Sequence, residues 1–176
     1  VKPAFIVMGM ETEGTFSELI IGSIATDVIR KTKTPIILVP EKAQFKKIQK
    51  ITLAYDYKLK QEVNILQPLK ELIITSKAEF YILNVGKEEP EQDPEKAIAA
   101  IKLEKYFSGV TFTPYFAQSE DFTAGVNKFI ELENIDLIAM IPHKHNFLER
   151  LFKESHTKKI AFHANVPLLT LPEIKS

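Results

Sequence analysis

The chain has 176 residues, 45% of them hydrophobic and 26% charged, and its 23 Lys and Arg balance 23 Asp and Glu. That is ordinary globular composition, with room for one full domain and part of another. The even charge excludes a long-range field that would gather nucleic acid or an anionic membrane, no apolar run reaches the ~20 residues that span a bilayer, and the absence of cysteine excludes disulfides, thiolate metal sites and cysteine nucleophiles.

In chain order, the apolar run Ala4–Met8 suits a strand buried on both faces, and Gly9–Thr15 is expected to be a loop. Phe16, Leu19, Ile20, Ile24, Val28 and Ile29 recur at helical spacing through Lys31. Ile36–Val39 is a second β-branched run, stopped by Pro40. Strand, helix and strand here make a parallel crossover. Residues 42–50 are polar and lysine-rich and form a linker.

A longer alternation follows. Ile51–Tyr55 is a strand closed by Asp56, and Lys60–Ser76 is a helix that Pro68 kinks or splits. Phe80–Val85 is a strand. Asp93 caps a helix that opens on Pro94 and runs to about Phe107. Val110–Ala117 is a strand whose Pro114 points to an edge or a bulge. Phe122–Leu132 is a helix, Asp136–Ile141 a strand, Leu148–His163 a helix and Val166–Leu171 a strand. This β-α-β-α-β-α-β-α-β order predicts an α/β fold, a five-stranded, mostly parallel sheet with helices on both faces. Ligands bind such sheets beyond the carboxyl ends of strands, where the winding reverses.

The chain repeats itself. Phe5–Glu41 aligns without a gap on Leu137–Glu173 at an offset of 132 residues, with identities at Ile6/Ile138, Met8/Met140, Leu19/Leu151, Ser23/Ser155, Pro35/Pro167, Pro40/Pro172 and Glu41/Glu173. That offset is the length of a small domain, too long for a solenoid. The expected organisation is a β-α-β remnant of a first unit over 1–41, the linker 42–50 and a complete second unit over 51–174. By the same offset the chain is expected to be an N-terminally truncated fragment.

The copies differ in their glycines. The first has Gly9, Thr12, Gly22 and Ser23. Glycines let a backbone approach an anion, and a helix N-terminus offers free N–H groups to it. With Gly9, Gly22 and Ser23 at matching spacing, and Thr12 where a second glycine belongs, the chain resembles the universal stress protein family, whose fold is adenine nucleotide alpha hydrolase-like. Asp56 stands where the family places an aspartate near adenosine, and the V-P-L-L-T-L-P ending also fits. The resemblance implies a cytoplasmic, non-enzymatic stress-response protein of the tandem-domain type, with ATP or AMP as the possible ligand. It also implies pairing through the last strands, within the chain or by self-association. Ile36–Val39 is therefore expected antiparallel to Leu168–Leu171. The protein client is left open.

The second copy carries Ile141, Lys144, Glu154 and Ser155 at the equivalent positions. A branched side chain and a carboxylate there make the nucleotide motif degenerate. In the first copy two readings stand: an anion site, or glycines serving turns and helix packing. His143, His145, His156 and His163 cluster without a metal-ligand spacing such as H-E-x-x-H, so no metal is expected. Ser23 and Ser155 lack a nucleophile elbow, and no catalytic residue is assigned.

Overall fold

The computed structural model describes residues 3–13, 18–20, 23–44, 46–57, 63–142 and 165–172. Among the described residues eight strands form one sheet: β1 (Ile6–Glu13), β2 (Glu18–Ile20), β3 (Ile36–Pro40), β4 (Lys50–Ala54), β5 (Glu79–Gly86), β6 (Thr113–Gln118), β7 (Leu137–Met140) and β8 (Leu168–Thr170). Their order is β2-β1-β3-β8-β7-β4-β5-β6. The described helices are α1 (Ser23–Lys31), α2 (Gln67–Ser76), α3 (Pro94–Tyr106) and α4 (Phe122–Glu133).

The five expected strands of the second unit are β4 to β8. The sheet does not stop there: β3 and β1 extend the main layer to seven strands, and β2 joins it through β1. Strands alternate their side chains between two apolar layers, as the pleat requires. On the front, Ile51, Leu53, Phe80, Ile82, Leu137, Ala139 and Leu169 share a buried cluster with Leu69 and Ile73 of α2 and Leu103 of α3. On the back, Ile36, Leu38, Leu83, Ile138, Met140 and Leu168 share one with Ala25 and Ile29 of α1 and Val126, Phe129 and Ile130 of α4. The back core thus runs unbroken from the first copy of the repeat into the second.

Local signals explain the elements. Pro68 stands in the first turn of α2, where a missing N–H costs nothing, and a 3-10 turn at Val63–Leu66 precedes it, so the expected helix is split. The Asp93 side chain accepts from the Glu95 N–H at 3.0 Å, and Pro94 opens α3. Pro114 lies in β6, the edge strand, where a lost donor is tolerated. That strand begins at Thr113. Val110 and Phe112, expected within it, instead pack on the front core from outside the strand.

Two expectations fail near the N-terminus. The loop expected from Gly9 is strand as far as Glu13, and Glu11, Thr12 and Glu13 pair antiparallel with Ile20, Leu19 and Glu18. A hairpin satisfies backbone groups that a loop would leave to water. The helix expected from Phe16 begins only at Ser23, because Leu19 and Ile20 belong to β2. Within α1 the inward stripe is Ala25, Val28 and Ile29, while Ile24 is 74% exposed. The helix expected at Leu148–His163 lies outside the described residues.

The repeat is visible in register. Ile6 N–H donates to Pro35 O at 2.9 Å, and Ile138 N–H donates to Pro167 O at 3.1 Å, the same bond 132 residues on. Ile6, Val7 and Met8 pair in parallel with Ile36, Ile37 and Leu38, as Ile138, Ala139 and Met140 pair with Leu168, Leu169 and Thr170. Between the copies, β3 and β8 run antiparallel, with Ile36 opposite Thr170, Ile37 opposite Leu169 and Leu38 opposite Leu168. Ile37 and Leu169 are themselves 132 apart, so a two-fold axis passes between them and exchanges the copies.

One glycine is fixed by packing. A Cβ on Gly125 of α4 would lie 2.5 Å from Cγ1 of Val85 and 3.3 Å from the Cβ of Ser119. Valine has no flexible end to withdraw. Gly125→Ala is therefore expected to destabilise by about 1–3 kcal/mol of overpacking, against ~1 kcal/mol of helix propensity gained. Urea unfolding compared with the unsubstituted chain checks it. Equal or higher stability would show that α4 can lift from β5 at little cost.

Candidate functional site

From β4 the chain winds to β5 and β6 on one side, then to β7 and β8 on the other. The winding reverses between β4 and β7, so the carboxyl ends of these two strands frame the crevice where such sheets hold ligands. Tyr55, Asp56 and Tyr57 follow β4, and Ile141 and Pro142 follow β7.

Apolar and aromatic side chains fill the front of this crevice. Ile141 is 3% exposed and belongs to the same buried cluster as Tyr55, Tyr57 and Leu171. The two tyrosine rings meet edge to face, with centroids 5.4 Å apart. Backbone bonds hold the frame: Tyr55 N–H donates to Leu83 O at 2.9 Å, and Leu171 N–H donates to Met140 O at 3.0 Å. Burial pushes the Tyr55 phenol pKa up, and the neighbouring Asp56 carboxylate adds to it. This phenol is a neutral packing group rather than a base.

Asp56 is exposed at the mouth. Behind it, the Asn84 amide on β5 donates to Tyr55 O at 2.9 Å. Its Oδ1 is buried and has no hydrogen-bond partner among the described residues. A buried amide oxygen of this kind is ordinarily satisfied by a water or a ligand donor. Asn84 was not singled out in sequence, although it is the only amide in the apolar run Phe80–Val85.

Two of the first-copy candidates lie in strands. Gly9 lies within β1, opposite Val39, and Thr12 lies in the hairpin opposite Leu19. Among the described glycines only Gly109 has positive φ, and a Cβ on Gly9 would meet nothing within 4 Å. Neither a tight turn nor close packing therefore requires glycine at position 9. Ser23 is the first residue of α1. Gly22 lies outside the described residues, as do Lys144, Glu154, Ser155 and the four histidines. No group of three or more acids or histidines that could hold a metal is found among the described residues. No described helix is long and apolar enough to cross a membrane.

A test of fit to an adenine nucleotide divides the site. Asp56 and the spare acceptor of Asn84 are compatible with a hydrogen-bond donor. On the phosphate side the described residues place Ile141, buried, just past the end of β7.

No protein-family model matches the chain, and no curated protein matches it. Solved structures do. A universal stress protein from Archaeoglobus fulgidus superposes with a TM-score of 0.66 at 16% identity, over 97% of this chain and 61% of that one. A Pseudomonas aeruginosa protein provisionally named a universal stress protein gives 0.62 at 10%, over 96% and 63%. Another Pseudomonas aeruginosa protein, described as functionally unknown, gives 0.61 at 10%, again over 96% and 63%. At these identities the likeness shows the fold. The chain spans less than two thirds of the length of each of these structures.

Proposed function

We propose that this chain is a tandem universal stress protein whose complete unit, 51–174, has lost nucleotide binding and acts in the stress response without catalysis, in the cytoplasm. In this reading residues 1–41 are the closing β-α-β part of a first unit and 42–50 the linker. The register of the repeat, with its two-fold axis at Ile37 and Leu169, supports two units paired through their last strands. The observation that carries the functional reading is Ile141. It is buried at the switch point, in the position where the family's phosphate loop has its first glycine. A β-branched side chain there keeps the backbone from approaching a phosphate.

Calorimetric titration with ATP and with AMP is expected to give no saturable heat, and labelled ATP is expected to turn over at the background rate. Turnover above background would overturn the non-enzymatic reading.

The rival reading is a regulatory protein that binds ATP or AMP through Gly9, Thr12, Gly22 and Ser23. It draws on the start of α1 at Ser23, since a helix N-terminus favours an anion. It expects saturable heat that Gly22→Glu abolishes, and that result would displace the first reading.

A further inference from the structure

β6 ends the sheet, and its outer side pairs with no other strand among the described residues. The Ser119 N–H donates inward to Gly86 O at 2.9 Å, on the register that sets Tyr115 beside Leu83 and Ala117 beside Val85. Successive residues of a strand turn their backbone groups to opposite sides. Thr113, Tyr115 and Ala117 therefore face β5, and Pro114, Phe116 and Gln118 turn theirs outward. Pro114 has no N–H. The outward row thus holds the N–H groups of Phe116 and Gln118 and the carbonyls of Pro114, Phe116 and Gln118. The rings are already placed: Tyr115 packs on Phe129 of α4 with centroids 4.5 Å apart, and Phe116 lies beside Gly86. What stays open is backbone. Natural edges are guarded by charge, above all lysine, by bulges or by a covering element. Here the register runs without a bulge, no charged residue occurs from Tyr106 to Ser119, and Pro114 alone interrupts the row.

We propose that β6 is a dimerisation edge. It pairs antiparallel with β6 of a second copy of this chain, about a two-fold axis at Phe116, and joins two sheets into one. The outward row is self-complementary at that register. The two Phe116 residues exchange both N–H···O bonds, as a hydrogen-bonded antiparallel pair does. Each Gln118 N–H meets the Pro114 carbonyl of the other copy. The missing proline donor then leaves just the Gln118 carbonyls to water. An axis at Tyr115 would set Gln118 opposite Phe112, before the strand begins, and an axis at Ala117 would set Pro114 opposite Glu120, after it ends. The side chains agree with Phe116. Its two rings stand opposite each other on the front face, an aromatic cross-strand pair, and no like charges meet along the ladder. A foreign extended peptide is the less favoured occupant, because it would have to match the gap at Pro114 that a second copy matches by symmetry. This pairing is distinct from that of β3 with β8, which lies within the chain, and does not depend on the tandem reading.

Sedimentation equilibrium of the intact 176-residue chain is expected to show a reversible monomer–dimer equilibrium. Phe116→Lys and Phe116→Glu each oppose like charges across the axis, and each is expected to weaken the dimer about tenfold or more. An equimolar mixture of the two is expected to restore it, because position 116 meets itself in this register alone. Gln118→Pro removes an outward N–H and no bond to β5, and is expected to weaken the dimer about tenfold. Gln118 is exposed, so this variant should keep the fold even if those at Phe116 do not, and circular dichroism verifies each. Val7→Lys and Ile98→Lys, at exposed apolar residues away from β6, are expected to leave the dimer within about twofold. A chain that stays monomeric up to about 500 µM overturns the proposal. So does a dimer unchanged by Gln118→Pro, or a mixture of the two folded Phe116 variants that stays monomeric. Loss of the dimer on Val7→Lys would place the contact on β1 and overturn it as well.

Discussion

Leu38→Ala is expected to cost about 2–5 kcal/mol and to lower the unfolding midpoint of the whole chain, not of its N-terminal part alone. Leu38 is fully buried on β3, opposite Leu168, in the back cluster that also holds Phe129 of α4 and Ala25 of α1. A cavity there removes contacts from both copies of the repeat. The chain offers its own probe, because it has no tryptophan and its five tyrosines, at positions 55, 57, 81, 106 and 115, all lie beyond the linker. Tyrosine fluorescence therefore reports the second unit, whereas far-ultraviolet circular dichroism reports both. In urea the two signals are expected to shift together on Leu38→Ala. A tyrosine transition left in place, with an early partial loss of dichroism, would show that the first copy melts by itself and that the shared core contributes little to the second.

The same core explains why the architecture could be read from sequence. β4, β5, β7 and β8 lie in continuous apolar runs, and such runs belong to strands buried on both faces. Asp93 and Pro94 announced the start of α3, and Pro114 announced an edge, because each acts through its own backbone. The family resemblance went further and implied the long-range pairing of β3 with β8. Strands related by the repeat and meeting about a two-fold axis must run antiparallel.

The candidate site was less legible because its decisive features are tertiary. Gly9-Met10-Glu11-Thr12 suits a turn as well as a strand, and pairing with β2, itself built from residues expected in a helix, decided between them. Ile141 could be named as a replacement for glycine, yet its burial beside Tyr55 and Tyr57 depends on strands far apart in sequence. Asn84 gave only the weak signal of a lone amide in an apolar run. Its oxygen, without a partner among the described residues, follows from the geometry of Tyr55, 29 residues away.

Asp136 is the other group that sequence left silent. It read as the first residue of a strand, whereas in the structure it ties the linker to the foot of β7. Its Oδ2 accepts from the N–H of Gln49 at 2.8 Å and of Lys50 at 2.9 Å, and its Oδ1 pairs with Lys46. Asp136→Ala is expected to cost about 2–4 kcal/mol, since two backbone donors lose a charged acceptor in a buried place. Lys46→Ala should cost no more than about 1 kcal/mol, because Lys46 is 63% exposed and its pairing is screened by water.

The acid dependence separates charge from shape. Burial by itself would raise the Asp136 pKa, but hydrogen bonds from Lys46 and from the backbone of Gln49 and Lys50 outweigh it and hold the carboxyl below its ordinary value. A depressed folded-state pKa gives stability that is fully present above the unfolded pKa of about 3.9 and is lost as pH falls through the folded value. Asn resembles the protonated carboxyl. The gap in urea midpoint between the unsubstituted chain and Asp136→Asn is therefore expected to hold steady from pH 7 to about pH 5 and to close below about pH 4. Glu79 and Glu133, both near Lys50, are common to both proteins, so their ion pairs largely cancel in the difference. A gap that persists unchanged into acid would mean that Asp136 acts through the shape of its hydrogen bonds alone. The linker would then be held without help from the charge.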